Sequence, residues 1–129
     1  MVFENGSITE ARASKGEEVF LKLIDTDEGA RRLGEVALVP NSSPISQSNL
    51  LFYNTLFDEN ASCHIALGRA YPMNIKGGLT STIEDLVKRG YNESQSHVDF
   101  MFGTEDLSII GVKQDGSEVV VFKDGAYTY

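Results

Sequence analysis

Four ionisable residues lie inside or at the edge of short, apolar, strand-like runs, and they constrain the fold more than any other feature. They are Glu35, His64, His97 and Asp99, in a chain that has only two histidines. Burying such a group costs free energy unless a partner satisfies it. Several of them in one small protein therefore indicate a shared partner such as a divalent metal ion, and metal-assisted hydrolysis is the leading hypothesis.

Size and charge limit the alternatives. The 129 residues, 41% of them hydrophobic, fit one globular domain over residues 1–129. The net charge of -8 argues against binding to nucleic acid or to an anionic membrane surface, both of which need basic residues. The single Cys63 and a start without signal-peptide character favour a reducing, cytoplasmic location. No apolar run approaches the roughly 20 residues of a membrane helix.

Turn and capping signals divide the first half of the chain into short elements. Asn5-Gly6 between two short runs predicts an opening hairpin, and apolar spacing with early acids predicts a helix over residues 16–25. Residues 34–39 are typical of a buried strand that is stopped by Pro40. Residues 50–57 fit either a buried helical turn or a strand, and periodicity does not separate the two.

The second half carries further strand signals and one well-marked helix. We expect strands at residues 63–67 and a helix at 80–90, followed by a terminal β-meander of residues 97–102, 107–112 and 118–122. The whole pattern predicts an α+β fold: a mostly antiparallel, curved or barrel-like sheet with two or three short helices and the candidate site at strand ends.

The pair His97-x-Asp99 is the sharpest local feature of the site. Side chains at i and i+2 leave a strand on the same face, so this imidazole and carboxylate converge. A structural hydrogen bond between them explains the spacing equally well. His64 alone is typical of an ordinary core or surface histidine, and Glu35 alone is typical of a solvated strand start. The combination of all four residues, from three strands, favours a metal site.

Long stretches of the chain resemble the thermophilic-type metal-dependent aminopeptidases, the family of aminopeptidase T, aminopeptidase S and PepS. The resemblance is carried by TDEGARRLGEVALVPNSSPIS (Thr26–Ser46), LLFYNTLFDENASCHIALGRAYP (Leu50–Pro72) and SHVDFMFG (Ser96–Gly103), and it covers nearly all of the chain. It implies a metallopeptidase that removes N-terminal residues from peptides with a free N-terminus.

The resemblance also implies a ligand set. The family's two divalent ions, which are zinc, cobalt or magnesium, would be bound by Glu35 in LGEVAL, His64 in ASCHIAL, and His97 and Asp99 in HVDF. The tyrosine of the GRAYP motif falls on Tyr71, near a metal or hydrogen-bonded to substrate. A packed tyrosine whose hydroxyl is satisfied is the alternative. Glu35 is also a candidate general base, provided that it is not fully occupied as a ligand.

One departure from the family concerns length. The family's enzymes carry an N-terminal α/β region and an additional metal-binding glutamate upstream of the part that Met1 begins, so the chain resembles a C-terminal portion. From this we expect one bound ion or none, and little peptidase activity. We expect exposed apolar surface and self-association as well, while the full-length family implies a homodimer.

Two other classes of function compete with the metallopeptidase. In the first, the chain is a non-catalytic, β-rich protein-interaction module whose four candidate ligands only form hydrogen bonds. In the second, it is a hydrolase that pairs Ser or Cys with His. Cys63 and His64 are neighbours on a strand and point to opposite faces, and no G-x-S-x-G motif is present, which argues against that second class.

Overall fold

The computed structural model describes all 129 residues, Met1–Tyr129, and the chain divides into two compact units. The first unit comprises Met1–Val36 and Ile65–Phe100, and the second comprises Ala37–His64 and Met101–Tyr129. Antiparallel strands combine with four short α-helices, which confirms the predicted α+β class. The strands form three separate sheets instead of one continuous curved sheet.

The first unit opens with the predicted hairpin. Strand β1 (Val2–Glu4) pairs antiparallel with β2 (Ser7–Glu10). The two residues between them, Asn5 and Gly6, have positive φ angles of 50° and 78°. Positive φ at both positions gives the two-residue turn whose twist matches a hairpin, and Asn-Gly is the sequence that adopts it most readily.

A small apolar core holds the first unit together. Helix α1 (Glu17–Ile24) starts with acids in its first turn and buries Ile24 completely. Ile24 packs with Ile8 of β2 and with Leu67, and Phe20 and Phe100 pack against this group. Phe20 and Ile24 are four positions apart, so the 3.6-residue period of α1 places them on the same side of the helix, which covers this core.

The sheet that carries the candidate site has the order β3-β4-β5. Its strands are β3 (Leu33–Ala37), β4 (His64–Gly68) and β5 (His97–Met101). Leu67 of β4 and Phe100 of β5 belong to the core of the first unit. Because side chains alternate along a strand, the neighbours of these two residues face the other side of the sheet.

The best-marked helix of the sequence is shorter than predicted. Helix α4 covers Ile83–Lys88, and the Thr82 hydroxyl accepts a hydrogen bond from Asp85 N at 3.2 Å as its N-cap. Residues 78–80 form a separate 3-10 turn, so the helix begins three residues later than the predicted Thr80. Gly90 follows with φ of 93°, a conformation that favours glycine after a helix.

The second unit contains the third sheet, which corrects the predicted meander. Its strands are β6 (Ile109–Val112), β7 (Glu118–Lys123) and β8 (Ala126–Tyr127), in the antiparallel order β6-β7-β8. Residues 97–101 were predicted as part of this meander, but they form β5 of the site sheet. The chain after β5 stays beside the start of β4, because Phe102 N and Gly103 N both donate to the Cys63 carbonyl at 3.0 Å.

Two short helices interrupt the segment that joins β3 and β4. Helix α2 (Pro44–Ser48) begins at a proline where only a loop was predicted. The sequence left residues 50–57 open between helix and strand, and α3 (Thr55–Asp58) shows that the last three of them are helical. The Asp58 carboxylate accepts hydrogen bonds from Phe52 N (2.8 Å) and Asn54 N (3.0 Å). Six large apolar side chains here are exposed: Leu50, Leu51, Phe52, Tyr53, Leu56 and Phe57.

None of the helices has both the length and the apolar character needed to cross a membrane.

Candidate metal centre

Three of the four predicted metal ligands come together in the first unit. Glu35 lies in the middle of β3, and His97 and Asp99 lie on β5. One donor atom from each side chain is within 4.8 Å of the other two. Because Phe100 packs in the core, strand alternation places His97 and Asp99 together on the opposite face, as their spacing predicted.

The distances within this cluster are too long for ordinary hydrogen bonds. His97 Nε2 lies 3.6 Å from Glu35 Oε2 and 3.5 Å from Asp99 Oδ1. A hydrogen bond between such groups spans about 2.7 to 3.2 Å. The structural hydrogen bond that we considered as the alternative for His97 and Asp99 is therefore not formed at bonding distance.

A backbone carbonyl fixes the orientation of the His97 ring. Nδ1 of His97 lies 2.7 Å from the Arg69 carbonyl oxygen. A carbonyl oxygen only accepts, so Nδ1 carries the proton and donates. Nε2 is consequently the nitrogen that faces the two carboxylates. This arrangement, with one ring nitrogen tied to a carbonyl, is typical of histidines that bind metals.

The three side chains fit a divalent ion on two grounds. Donor atoms bound to one zinc ion at about 2.0 to 2.2 Å in tetrahedral geometry are about 3.3 Å apart, close to the separations seen around His97 Nε2. Asp99 Oδ1 is also buried and accepts no hydrogen bond. Burying a carboxylate oxygen without a hydrogen-bond donor costs free energy, and a cation bound beside the oxygen would remove that cost.

His64, the fourth predicted ligand, belongs to the second unit. It is the first residue of β4 and is only 2% exposed. Its Nδ1 lies 3.0 Å from the Ser62 carbonyl oxygen, so this nitrogen also carries the proton. His64 stays a predicted ligand.

Tyr71, the further candidate that the resemblance to the aminopeptidases implied, lies beside the cluster. Its ring centroid is 5.1 Å from that of His97, with the two rings tilted by 59°. The side chain is 42% exposed and its hydroxyl makes no hydrogen bond within the chain. The alternative of a packed tyrosine with a satisfied hydroxyl therefore does not describe this residue, whose phenol is accessible to a ligand.

Two positions that support the cluster were not singled out from the sequence. The Arg69 carbonyl is a backbone group, which no side-chain pattern reveals. Gly34, next to Glu35, packs so closely that a Cβ there would lie 2.3 Å from the Gly68 carbonyl oxygen and 2.5 Å from that of Arg69. An isolated glycine within a strand run is the signal that indicates such a close approach of backbones.

A carboxylate organises the loop that leads into β5. Asp27 Oδ2 accepts from Gln95 N at 2.7 Å, and Oδ1 accepts from Ser94 Oγ and Ala30 N, both at 2.9 Å. These donors, the Gln95 N–H first, hold the pKa of Asp27 below its ordinary value of 3.8. The ionised carboxylate is thus favoured by folding, and it anchors residues immediately before His97.

The Asp27→Asn variant tests this anchor through pH. A lowered folded-state pKa contributes stability that is fully present above the ordinary value and is lost as pH falls through the folded value. We expect the urea midpoint of the variant to be below that of the wild type at pH 7, and the difference between the two midpoints to narrow as the pH falls below 3.8. A gap of constant size from pH 7 to pH 2 would contradict this role of the carboxylate.

One imidazole and two carboxylates converging on strands of an α+β fold make a donor set of the kind that metallohydrolases use. The sequence profile of the thermophilic metalloprotease family (M29) matches residues 1–127. The chain belongs to this family, which confirms the resemblance described above.

Individual relatives agree with the family assignment. The chain is 55% identical over 129 residues to aminopeptidase AmpS of Bacillus subtilis and 51% identical over 125 residues to aminopeptidase T of Thermus aquaticus. It covers 32% and 30% of their lengths, so it spans about a third of the relatives that it matches. The solved structure of wild-type AmpT from Thermus thermophilus matches 98% of the chain with a TM-score of 0.86 at 51% identity, and 31% of that longer chain is covered.

Proposed function

We propose that this chain supplies part of the metal centre of a metal-dependent aminopeptidase that acts on peptides with a free N-terminus. The observation that carries the proposal is the convergence of Glu35, His97 and Asp99 in a chain about half identical to proteins named aminopeptidases. In this proposal residues 1–129 correspond to one domain, the catalytic portion of a longer enzyme. The free, buried Cys63 supports a reducing, cytoplasmic location.

Each ligand has a separate task in this proposal. His97 presents Nε2 because its Nδ1–H is held by the Arg69 carbonyl, and the carboxylates of Glu35 and Asp99 supply negative charge beside it. His64 is the fourth candidate ligand. In the longer enzyme a pair of divalent ions, with zinc, cobalt and magnesium as the candidates, would supply Lewis acidity and lower the pKa of a water molecule when bound.

Tyr71 is the candidate for contact with substrate. Its hydroxyl makes no hydrogen bond within the chain, and its ring lies against the imidazole of His97. A phenol held there can donate a hydrogen bond to the carbonyl oxygen of a scissile peptide, on which negative charge develops during hydrolysis. Glu35 is the candidate general base, because its carboxylate lies within the same cluster.

Three candidate ligands bring donor atoms within 4.8 Å of one another, and from this set we propose one ion per chain and little peptidase activity for the chain by itself. The six exposed apolar side chains between Leu50 and Phe57 support self-association, since exposed apolar residues that form a patch commonly mark an interface. The proposed homodimer of the longer enzyme is compatible with that surface.

Titration with cobalt tests the metal centre directly. We expect calorimetry to give about one Co²⁺ per chain, with visible absorption bands typical of a site that contains nitrogen and oxygen ligands. The Asp99→Asn variant removes a charged ligand and should weaken binding by about tenfold or more. Asp106→Asn is the matched control, because Asp106 lies in the second unit and its carboxylate accepts a local hydrogen bond from the Thr104 hydroxyl at 2.7 Å.

Two results would count against the proposal. Absence of heat and of absorption bands at millimolar cobalt would favour the non-catalytic interaction module. Equal affinities for the wild type and Asp99→Asn would show that the metal binds elsewhere on this acidic chain.

A further inference from the structure

The loop before His97 and the chain after β4 lie in direct backbone contact. Ala70 N donates to the Asn92 carbonyl at 2.9 Å, and Arg69 N donates to the Ser96 carbonyl at 2.7 Å. A Cβ on Gly68, whose φ is 94°, would lie 2.2 Å from the Ser96 carbonyl oxygen. The close contact between these two backbone segments therefore depends on the absence of a side chain at Gly68.

The side chain of Asn92 reinforces this contact with both of its amide hydrogens. Nδ2 donates to the Gly68 carbonyl at 2.6 Å and to the Gly29 carbonyl at 2.9 Å. The amide nitrogen has two hydrogens, and each has an acceptor. The group is partly buried, so these bonds are less exposed to competition from water than bonds at the surface.

Arg69 lies between the two residues that Asn92 holds. The Asn92 side chain binds Gly68 on one side of it, and the Asn92 carbonyl binds Ala70 on the other. The Arg69 carbonyl is the group that accepts the hydrogen bond from His97 Nδ1 at 2.7 Å. A shift of the segment from Gly68 to Ala70 would move this acceptor away from the imidazole.

We propose that Asn92 is a positioning residue for His97. Asn92 holds the Arg69 carbonyl in position to accept from His97 Nδ1. This carbonyl thereby selects the Nδ1–H tautomer and turns Nε2 toward Glu35 and Asp99. The side-chain hydrogen bonds of Asn92 go to the Gly68 and Gly29 carbonyls and not to the imidazole or the two carboxylates, so its effect passes through the backbone. The role of Nε2 as a metal ligand rests on the proposed function, whereas the choice of tautomer does not.

Nitrogen NMR of metal-free protein labelled in histidine tests the tautomer. The chain has only two histidines, and His64→Gln assigns their signals. The spectra are recorded at about pH 9, well above the ordinary histidine pKa of about 6.5. There the wild type should show His97 in the single Nδ1–H form. In Asn92→Ala we expect a mixture of the two tautomers, because the carbonyl acceptor is no longer held in place.

Zinc titration gives the second measurement. Loss of a group that orients a metal-binding histidine commonly weakens binding by about 10- to 100-fold, and we expect about tenfold for Asn92→Ala. Asn60→Ala is the matched control, because the Asn60 amide also donates to a backbone carbonyl, that of Leu56 at 3.0 Å, but in the second unit. This control should leave both the tautomer and the zinc affinity unchanged.

The outcomes separate the positioning role from general destabilisation and from the proposed function. A folded Asn92→Ala variant in which His97 keeps the wild-type tautomer would overturn the proposal. Asn92→Ser retains a hydroxyl donor and serves the same comparison if the alanine variant does not fold. A change of tautomer in a protein whose wild type binds no zinc would support the positioning role and contradict the metal centre.

Discussion

Replacing Gly34 by alanine should disrupt both the stability of the first unit and its metal binding. The added Cβ would lie 2.3 Å from the Gly68 carbonyl oxygen and 2.5 Å from the Arg69 carbonyl oxygen. These are backbone atoms and do not rotate away as a side chain would. We expect the free energy of unfolding to fall by about 3 kcal/mol or more. We also expect cobalt affinity to fall by about 100-fold, because the Arg69 carbonyl orients His97.

Gly111→Ala is the matched control for this prediction. Gly111 also lies within a strand, but the atoms nearest to a Cβ there belong to side chains, Val121 Cγ2 at 3.1 Å and Val119 Cγ1 at 3.3 Å. The nearest backbone atom, the Val119 carbonyl oxygen, is 3.7 Å away, an ordinary van der Waals distance. Urea unfolding and cobalt calorimetry of the two variants give the comparison. Wild-type cobalt affinity in a folded Gly34→Ala variant would show that the position of the Arg69 carbonyl does not control the site.

The second large effect is expected from Leu67→Ala. Leu67 is completely buried and packs with Ile8 and Ile24 at the centre of the first unit. Truncating such a leucine removes apolar contacts and leaves a cavity, at a cost of about 2 to 5 kcal/mol. We expect the loss in the free energy of unfolding to lie in the upper half of this range, because few other buried residues are available to fill the cavity.

Leu79→Ala provides the comparison, since the Leu79 side chain is 76% exposed. Its effect on the free energy of unfolding should stay within about 0.5 kcal/mol. Chemical denaturation measured by circular dichroism is sufficient for both variants. A loss below about 1 kcal/mol in Leu67→Ala would mean that the core of this unit does not depend on the side chain.

Local signals predicted the local elements of the fold. The hairpin at Asn5 and Gly6 follows from the backbone freedom of those two residues, and the helix after Thr82 follows from its capping hydroxyl. The convergence of His97 and Asp99 followed from the alternation of side chains along a strand. Each of these inferences needs only a few adjacent residues.

The features that the sequence did not reveal depend on distant segments. Whether β5 pairs with β4 or with β6 is decided by hydrogen bonds such as those from Phe102 and Gly103 to Cys63. Helix α2 was missed because Asn-Ser-Ser-Pro is loop-like by composition, although proline is well suited to the first turn of a helix. The Asn92 amide binds two carbonyls whose positions only the fold defines.

The Asp27 anchor has a consequence for the kinetics of folding. Its carboxylate bonds to Ser94 and Gln95, which lie 67 and 68 positions further along the chain. Contacts of such high sequence separation close large loops, whose entropic cost slows the search for the native state. Glu35 and His97 are separated by a similar length of chain, so the ion-binding ability of a refolding sample should develop late, after the local helices and the hairpin have formed.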